Sequence, residues 1–209
     1  MSIPKVINYC WFGKGEKSEL IQTCINSWKI HCPDYEIIEW NEDNFDVNFC
    51  AYTAKAFREK KWAYLSDAAR LKIIYEHGGI YLDTDAELRH SLDPLLENEA
   101  WFGYATNTEI GTGVGFGAVS GNSFVKQLLA KYESFDEKSP YGLCTKIDAE
   151  TFQKYYPNFA ADSKVDQTEN GVHIINNIYH YAIHHYTNSW ATPIQKVLTK
   201  IKDFLKRKK

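Results

Sequence analysis

Two periods of apolar and polar residues alternate along the first hundred positions. Lys5–Phe12 (KVINYCWF) is β-branched and aromatic and halts at Gly13, which predicts a first strand. Lys17–Ile30 carries apolar residues at Leu20, Ile21, Cys24, Ile25 and Trp28, the spacing of an amphipathic helix. Tyr35–Trp40 (YEIIEW) returns to strand and ends in a polar turn at Asn41–Asn44. Ala51–Lys60 reads as helix. A longer helix follows over Trp62–His77, with Leu65, Ala68, Ala69, Ile73 and Tyr75 on its apolar side, stopped by Gly78-Gly79. Gly79–Leu82 is a short apolar strand running straight into Asp83-Thr84-Asp85. Beyond it the pattern gives a strand at Ala100–Ala105 and a stretch, Gly111–Gly121 (GTGVGFGAVSG), too rich in glycine for a regular helix. Then come a helix at Ser123–Tyr132, a loop-rich 134–170 with one helix near Asp148–Tyr155, and a late strand at Val172–Ile175. Strands alternating with helices place the chain in the α/β class, with a mostly parallel sheet flanked by helices. No internal repeat or linker interrupts residues 1–193, which read as one domain.

Composition narrows the chemistry. With 209 residues, 44% hydrophobic and 24% charged, the chain is an ordinary globular one. A net charge of −3 excludes a general nucleic-acid surface, which needs a basic excess. Residues 194–209 nevertheless hold seven Lys/Arg against one Asp, so the preceding body is acidic and the tail basic. Five cysteines (Cys10, Cys24, Cys32, Cys50, Cys144) without a C-x-x-C pair give no disulfide framework or zinc site. The start, Met-Ser-Ile-Pro-Lys, lacks a signal peptide's design, and no apolar run reaches 18 residues. The expected compartment is the reducing cytoplasm.

Four features carry candidate chemistry. Asp83 and Asp85, at the C-terminal end of an apolar strand, project into the crevice where α/β sheets bind ligands. Their oxygens suit a hard Mg²⁺ or Mn²⁺ that also holds a diphosphate. Twelve aspartates give about 0.7 D-x-D triplets per chain by chance, so the triplet alone also fits a solvated loop. Asp67 and Arg70 stand three apart on one helix face, as a surface ion pair or as the wall of the same crevice. His184-His185 with Trp190 offers an imidazole ligand and an aromatic lid, or two surface histidines and a core indole. Finally, Ile194, Val197, Leu198, Ile201, Phe204 and Leu205 share one face of a lysine-rich helix, a design for an anionic membrane interface or for packing on the domain. The glycine stretch contains no Walker loop and reads as close backbone packing near a ligand.

Taken in order, Ile3-Pro4-Lys5-Val6-Ile7 with Trp11, Ser66-Asp67-Ala68-Ala69-Arg70 through Gly78-Gly79-Ile80-Tyr81-Leu82-Asp83-Thr84-Asp85, and Ile183-His184-His185 with Ser189-Trp190 resemble one family. It is that of the DXD-containing glycosyltransferases related to the initiating α-1,6-mannosyltransferase and to bacterial capsule and lipopolysaccharide transferases, with glucosylating clostridial toxins as distant relatives. The resemblance implies a GT-A type α/β domain and a retaining transfer of a hexose from a nucleotide-sugar donor. UDP-galactose or UDP-glucose is the first expectation and GDP-mannose the second. It further implies a Mn²⁺ or Mg²⁺ cofactor and a glycan or lipid-linked acceptor. By matching position, Trp11 stacks on the base, Ser66 and Tyr81 lie near the nucleoside, and Asp67 and Arg70 hold the donor sugar. Asp83 contacts ribose or sugar and approaches the metal, and Asp85 binds it. His185, five before Trp190, is favoured over His184 as the metal ligand, while Asn188 and Ser189 lie near the diphosphate and Trp190 closes over it. The basic helix 194–209 then fits peripheral contact at the cytoplasmic membrane face. Two other readings remain open. One is a haloacid-dehalogenase-type phosphotransferase, which also sets D-x-D after a strand; the other is a non-catalytic glycan-binding module.

Overall fold

The computed structural model describes residues 2–104, 110–159 and 166–186. The elements run β1 (Val6–Cys10), α1 (Glu19–His31), β2 (Glu36–Trp40), α2 (Ala51–Arg58), α3 (Trp62–His77), β3 (Gly79–Tyr81), β4 (Ala86–Leu88), β5 (Ala100–Tyr104) and β6 (Ile110–Ala118). After these come α4 (Ser123–Glu133), α5 (Cys144–Tyr155), β7 (Gln167–Glu169), β8 (Val172–Ile175) and β9 (Ala182–His184). Elements expected before residue 84 form within two residues of their predicted ends. The helix expected near Asp148 begins one turn earlier, at Cys144. Strands β4, β7 and β9 are each three residues long, too short for a period to register. The glycine stretch is strand β6. Asn188, Ser189, Trp190 and the helix expected over 194–209 lie outside the described residues.

Seven strands form one mixed sheet in the order β2-β1-β3-β6-β5-β8-β7, and β4 pairs with β9 in a second, two-stranded sheet. Parallel pairing holds β1 to β2, β1 to β3 and β5 to β8, while β3–β6, β5–β6 and β7–β8 are antiparallel. The α/β expectation is met, with parallel pairing in half the ladders rather than most. β6 returns antiparallel to β5 and slots between β5 and β3, which reverses direction at the sheet centre.

Strand alternation sends side chains to two separate cores. Phe102, Phe116, Ile174 and Tyr81 pack with α2, α3, α4 and α5 on one face. Ile7, Ile80, Trp101 and Ile175 pack with Trp28 of α1 and with Leu88 of β4 on the other. The buried Asn8 satisfies itself between strands, donating to the Gly78 and Ile80 carbonyls at 3.4 Å each and accepting from Trp40 Nε1 at 2.9 Å.

Two local features shape the sheet around the end of β3. Gly78, at φ 70°, closes α3 with its N–H on the Ile74 carbonyl, and Gly79 turns into β3 at φ 95°. A Cβ on Gly79 would lie 2.8 Å from the Val6 carbonyl oxygen of β1. The second feature is in β6. Phe102 faces Phe116, yet its neighbour Gly103 faces Gly111, so residues 112–115 leave the register with β5. This excursion lies beside the end of β3.

Gly79→Ala should destabilise the protein by roughly 1–3 kcal/mol, because the positive φ strains any Cβ and the backbone oxygen opposite cannot withdraw. A urea midpoint lowered at unchanged slope is the expected result.

Candidate active site

α3 presents Ser66, Asp67 and Arg70 from one side of a cleft, and β1 presents Trp11 just past its C-terminal end. β3 leads into a turn closed by the Ala86 N–H on the Asp83 carbonyl at 2.9 Å, and Asp83 and Asp85 of this turn line the cleft. The turn is fixed from behind. Trp28 Nε1 of α1 donates to the Ala86 carbonyl at 2.7 Å, and Ser27 Oγ accepts the Leu88 N–H at 2.8 Å. The cleft encloses about 590 Å³ and is also lined by Tyr81, Gly113, Cys144 and Tyr186.

At its floor lies the Arg70 guanidinium, 3% exposed. It pairs with Asp67 on its own helix and with Asp83 at 3.5 Å, and donates to the Thr112 and Ser66 carbonyls at 3.2 Å each. The Tyr81 ring lies 5.0 Å from it, a cation–π contact. Burial pushes the Asp67 carboxyl up to about 7, with Asp83 and Asp148 adding to the rise and Arg70 opposing it. Asp83 is half-buried, which would raise its carboxyl, but Arg70 and His184 outweigh that and hold it below the ordinary range.

His184 completes the polar end. Its Nε2 lies 3.2 Å from Asp85 Oδ1 and 3.5 Å from Asp83 Oδ2. Burial works against the imidazolium, yet the hydrogen bond and charge of Asp83 and the charge of Asp85 raise its pKa. Asp83, Asp85 and His184 each offer one ligand atom, all within 4.8 Å of one another. Two hard oxygens and one imidazole nitrogen, with three carboxylates against one guanidinium nearby, fit a divalent cation such as Mn²⁺ or Mg²⁺.

The sequence-based preference for His185 does not agree with this geometry. β9 pairs antiparallel with β4 so that His184 stands opposite Ala86. Successive side chains on a strand point to opposite faces. His184 therefore enters the cleft, and His185 bonds Glu87 on the far side at 2.7 Å. Trp11, Ser66, Asp67, Arg70, Tyr81, Asp83 and Asp85 all line the one cleft. Sequence reasoning did not find Thr112, Gly113, Cys144, Asp148 or Tyr186. Cys144 and Asp148 sit in a helix with an ordinary polar pattern, and Gly113 carried only the general signal of a glycine-rich run.

This α/β sheet, with its ligand cleft at the ends of β1 and β3, is the GT-A architecture of glycosyltransferases. "PaToxG Glycosyltransferase" superposes over 75% of this chain and 71% of that one with a TM-score of 0.59 at 17% identity. More specifically, residues 18–102 match the family "Glycosyltransferase sugar-binding region containing DXD motif". Inositol phosphoceramide mannosyltransferase 3 of Schizosaccharomyces pombe is 29% identical over 143 residues, covering 64% of this chain and 38% of that protein. Mannosyltransferase 2 of the same group and organism is 35% identical over 108 residues, covering 47% and 30%. The chain thus spans less than half the length of these relatives.

The raised pKa of His184 has a measurable consequence. In metal-free protein its imidazolium stabilises the fold fully below 6.5 and loses that contribution as pH rises through the higher folded value. His184→Gln should therefore cost most near pH 6 and progressively less towards pH 9. Urea denaturation in a chelator across that range tests this; a penalty flat with pH rules it out.

Proposed function

We propose that the chain is a retaining, metal-dependent hexosyltransferase using a nucleotide-sugar donor. The observation that carries this is the convergence of Asp83, Asp85 and His184 in one cleft, next to the buried Arg70–Asp67 pair and with Trp11 in the same lining. Trp11 would stack on a base, and the Lys17 ammonium lies 5.3 Å from its ring. Asp83, Asp85 and His184 would hold the cation. When bound, it supplies positive charge to the departing diphosphate.

The chain's own residues account for the remaining steps. Arg70, fixed by Asp67, Asp83 and two carbonyls, offers a preorganised charge where the phosphate leaves. Asp67 accepts from sugar hydroxyls and sets C1 towards the acceptor. The C1–O bond to the diphosphate breaks, the acceptor oxygen bonds C1 on the same face, and the acceptor's proton passes to the leaving phosphate oxygen. No carboxylate is assigned as a covalent nucleophile.

Mannose in the relatives' names brings GDP-mannose level with UDP-galactose and UDP-glucose as donor. Their named acceptor class, a ceramide-based lipid, favours a glycolipid or lipid-linked glycan here. A basic amphipathic 194–209 accords with such an acceptor, and the proposed setting is the cytoplasmic face of a membrane, in polysaccharide or glycoconjugate synthesis. No described helix is long and apolar enough to cross a membrane.

UDP or GDP at 100 times its Kd, with Mn²⁺, should add about 2.7 kcal/mol, roughly 5–10 °C in melting temperature. Asp85→Ala and His184→Ala should abolish the metal-dependent part, and His185→Ala should keep it. If neither nucleotide stabilises the wild type, the glycan-binding reading takes over. Separately, the full chain should float with phosphatidylserine vesicles at low salt and release at high salt, and a chain lacking 194–209 should not float. Equal flotation of both removes the membrane assignment.

A further inference from the structure

A carboxylate outside the cleft lining is bound to the machinery through a single residue of β6. Asp148, in the second turn of α5, is fully buried. One of its oxygens, Oδ2, accepts both the Thr112 backbone N–H at 2.9 Å and the Thr112 hydroxyl at 2.8 Å. The other, Oδ1, has no hydrogen-bond partner among the described residues. The Thr112 carbonyl faces the opposite way and accepts from Arg70 at 3.2 Å. A chain of direct contacts thus runs from Asp148 through Thr112 to Arg70, and from Arg70 to Asp67 and Asp83.

Thr112 opens the segment 112–115 that leaves the β5 register. An out-of-register segment lacks the ladder that normally fixes a strand, so its position depends on whatever else holds its polar groups. Here the holders are Asp148 on the core side and Arg70 on the cleft side. The next residue, Gly113, faces the reacting groups. A Cβ there would stand 3.7 Å from Asp83 Oδ2 and 3.8 Å from the Arg70 guanidinium. The segment's placement therefore sets both the direction of Arg70 and the free space beside Asp83.

Burying a carboxylate to serve one threonine is costly. Burial holds the Asp148 carboxyl up at about 6, with the two Thr112 hydrogen bonds opposing the rise. An apolar residue in α5 would pack without that cost, but it would leave the buried Thr112 N–H unpaired and the segment free to shift.

We propose that Asp148 is a positioning residue for the transfer reaction: its double hold on Thr112 fixes the 112–115 segment, and through the Thr112 carbonyl it orients Arg70 at the donor's leaving group. The proposal rests on the transferase reading of the site. Trp11 bonds the Gly15 carbonyl and Asp85 pairs with His184, contacts that lie outside the run from Asp148 through Thr112 to Arg70, so nucleotide binding should survive the loss of Asp148 while turnover falls.

The test uses the full chain and donor hydrolysis, which needs no known acceptor, with UDP-glucose, UDP-galactose and GDP-mannose in turn and Mn²⁺ present. For the donor that turns over, Asp148→Ala should lower kcat at least tenfold, with KM and the affinity for the corresponding nucleoside diphosphate within about threefold. Asp148→Asn, which keeps an acceptor oxygen for both Thr112 donors, should restore most of the rate. Thr112→Val should lose less than Asp148→Ala, and the double variant should lose no more than Asp148→Ala alone, since both act through one contact. Amide exchange on the same variants should show protection lost at 112–115 in Asp148→Ala and retained in Asp148→Asn, a readout that remains if Asp148→Ala is too unstable for kinetics. A kcat within threefold of wild type in folded Asp148→Ala, or unchanged protection at 112–115, overturns the proposal. A wild-type chain that hydrolyses none of the three donors overturns the transferase reading itself, and the exchange data then report on the Thr112 hold alone.

Discussion

A buried guanidinium is the constraint around which this cleft is organised. Arg70 cannot shed its charge, so every group around it must repay a desolvation that is otherwise prohibitive. Asp67, Asp83, the Thr112 and Ser66 carbonyls and the Tyr81 face do this together. They belong to α3, β3 and its turn, and β6, which makes the charge a register pin for three elements. Removing any one partner leaves the guanidinium under-satisfied. The cation is therefore held in one direction before a ligand arrives, which is the condition for electrostatic catalysis without reorganisation.

The charge balance on the two sides of Asp83 differs in kind. Around Arg70 the carboxylates answer a fixed cation. Around His184 they answer one that can be surrendered, because Asp83 and Asp85 hold a proton on the imidazole that a metal ligand must lose. A divalent ion held there would compete with that proton for the imidazole nitrogen. The remainder of the cleft is apolar and aromatic, with Trp11, Trp62 and Tyr64 in its wall and the Leu143 side chain at its rim. Aromatic rings also reach the ionic groups, Tyr81 at 5.0 Å from Arg70 and Tyr186 at 4.5 Å from the His184 ring.

Support for this arrangement comes from ordinary packing. Trp28 reaches across the second core to the Ala86 carbonyl, so the helix after β1 fixes the turn carrying both acidic residues. The β4–β9 pair then delivers His184 from almost 100 residues downstream. Each acidic or basic group is thus placed by an element whose position is set by apolar burial elsewhere.

How much of this was legible follows from what each residue's role depends on. Trp62–His77 and the strand after it declare themselves locally, through 3.6-residue spacing, a double glycine and a short apolar run, so Asp67, Arg70, Asp83 and Asp85 could be assigned to one crevice from the pattern, whereas Ser66 and Tyr81 were named only by the family resemblance. His184 against His185 could not be decided that way. The choice depends on which of two adjacent residues stands opposite Ala86 in a three-residue strand, and spacing from Trp190 carries no information about a pleat. Asp148 was less legible still. It reads as one polar position on an amphipathic helix, and it matters only because four residues of β6 leave their ladder at the one point where Arg70 needs a carbonyl. The glycines of that stretch signalled close approach without saying to what. Local pattern therefore reveals groups that sit on regular elements, whereas groups acting through an irregular neighbour become visible only when the irregularity is seen in three dimensions.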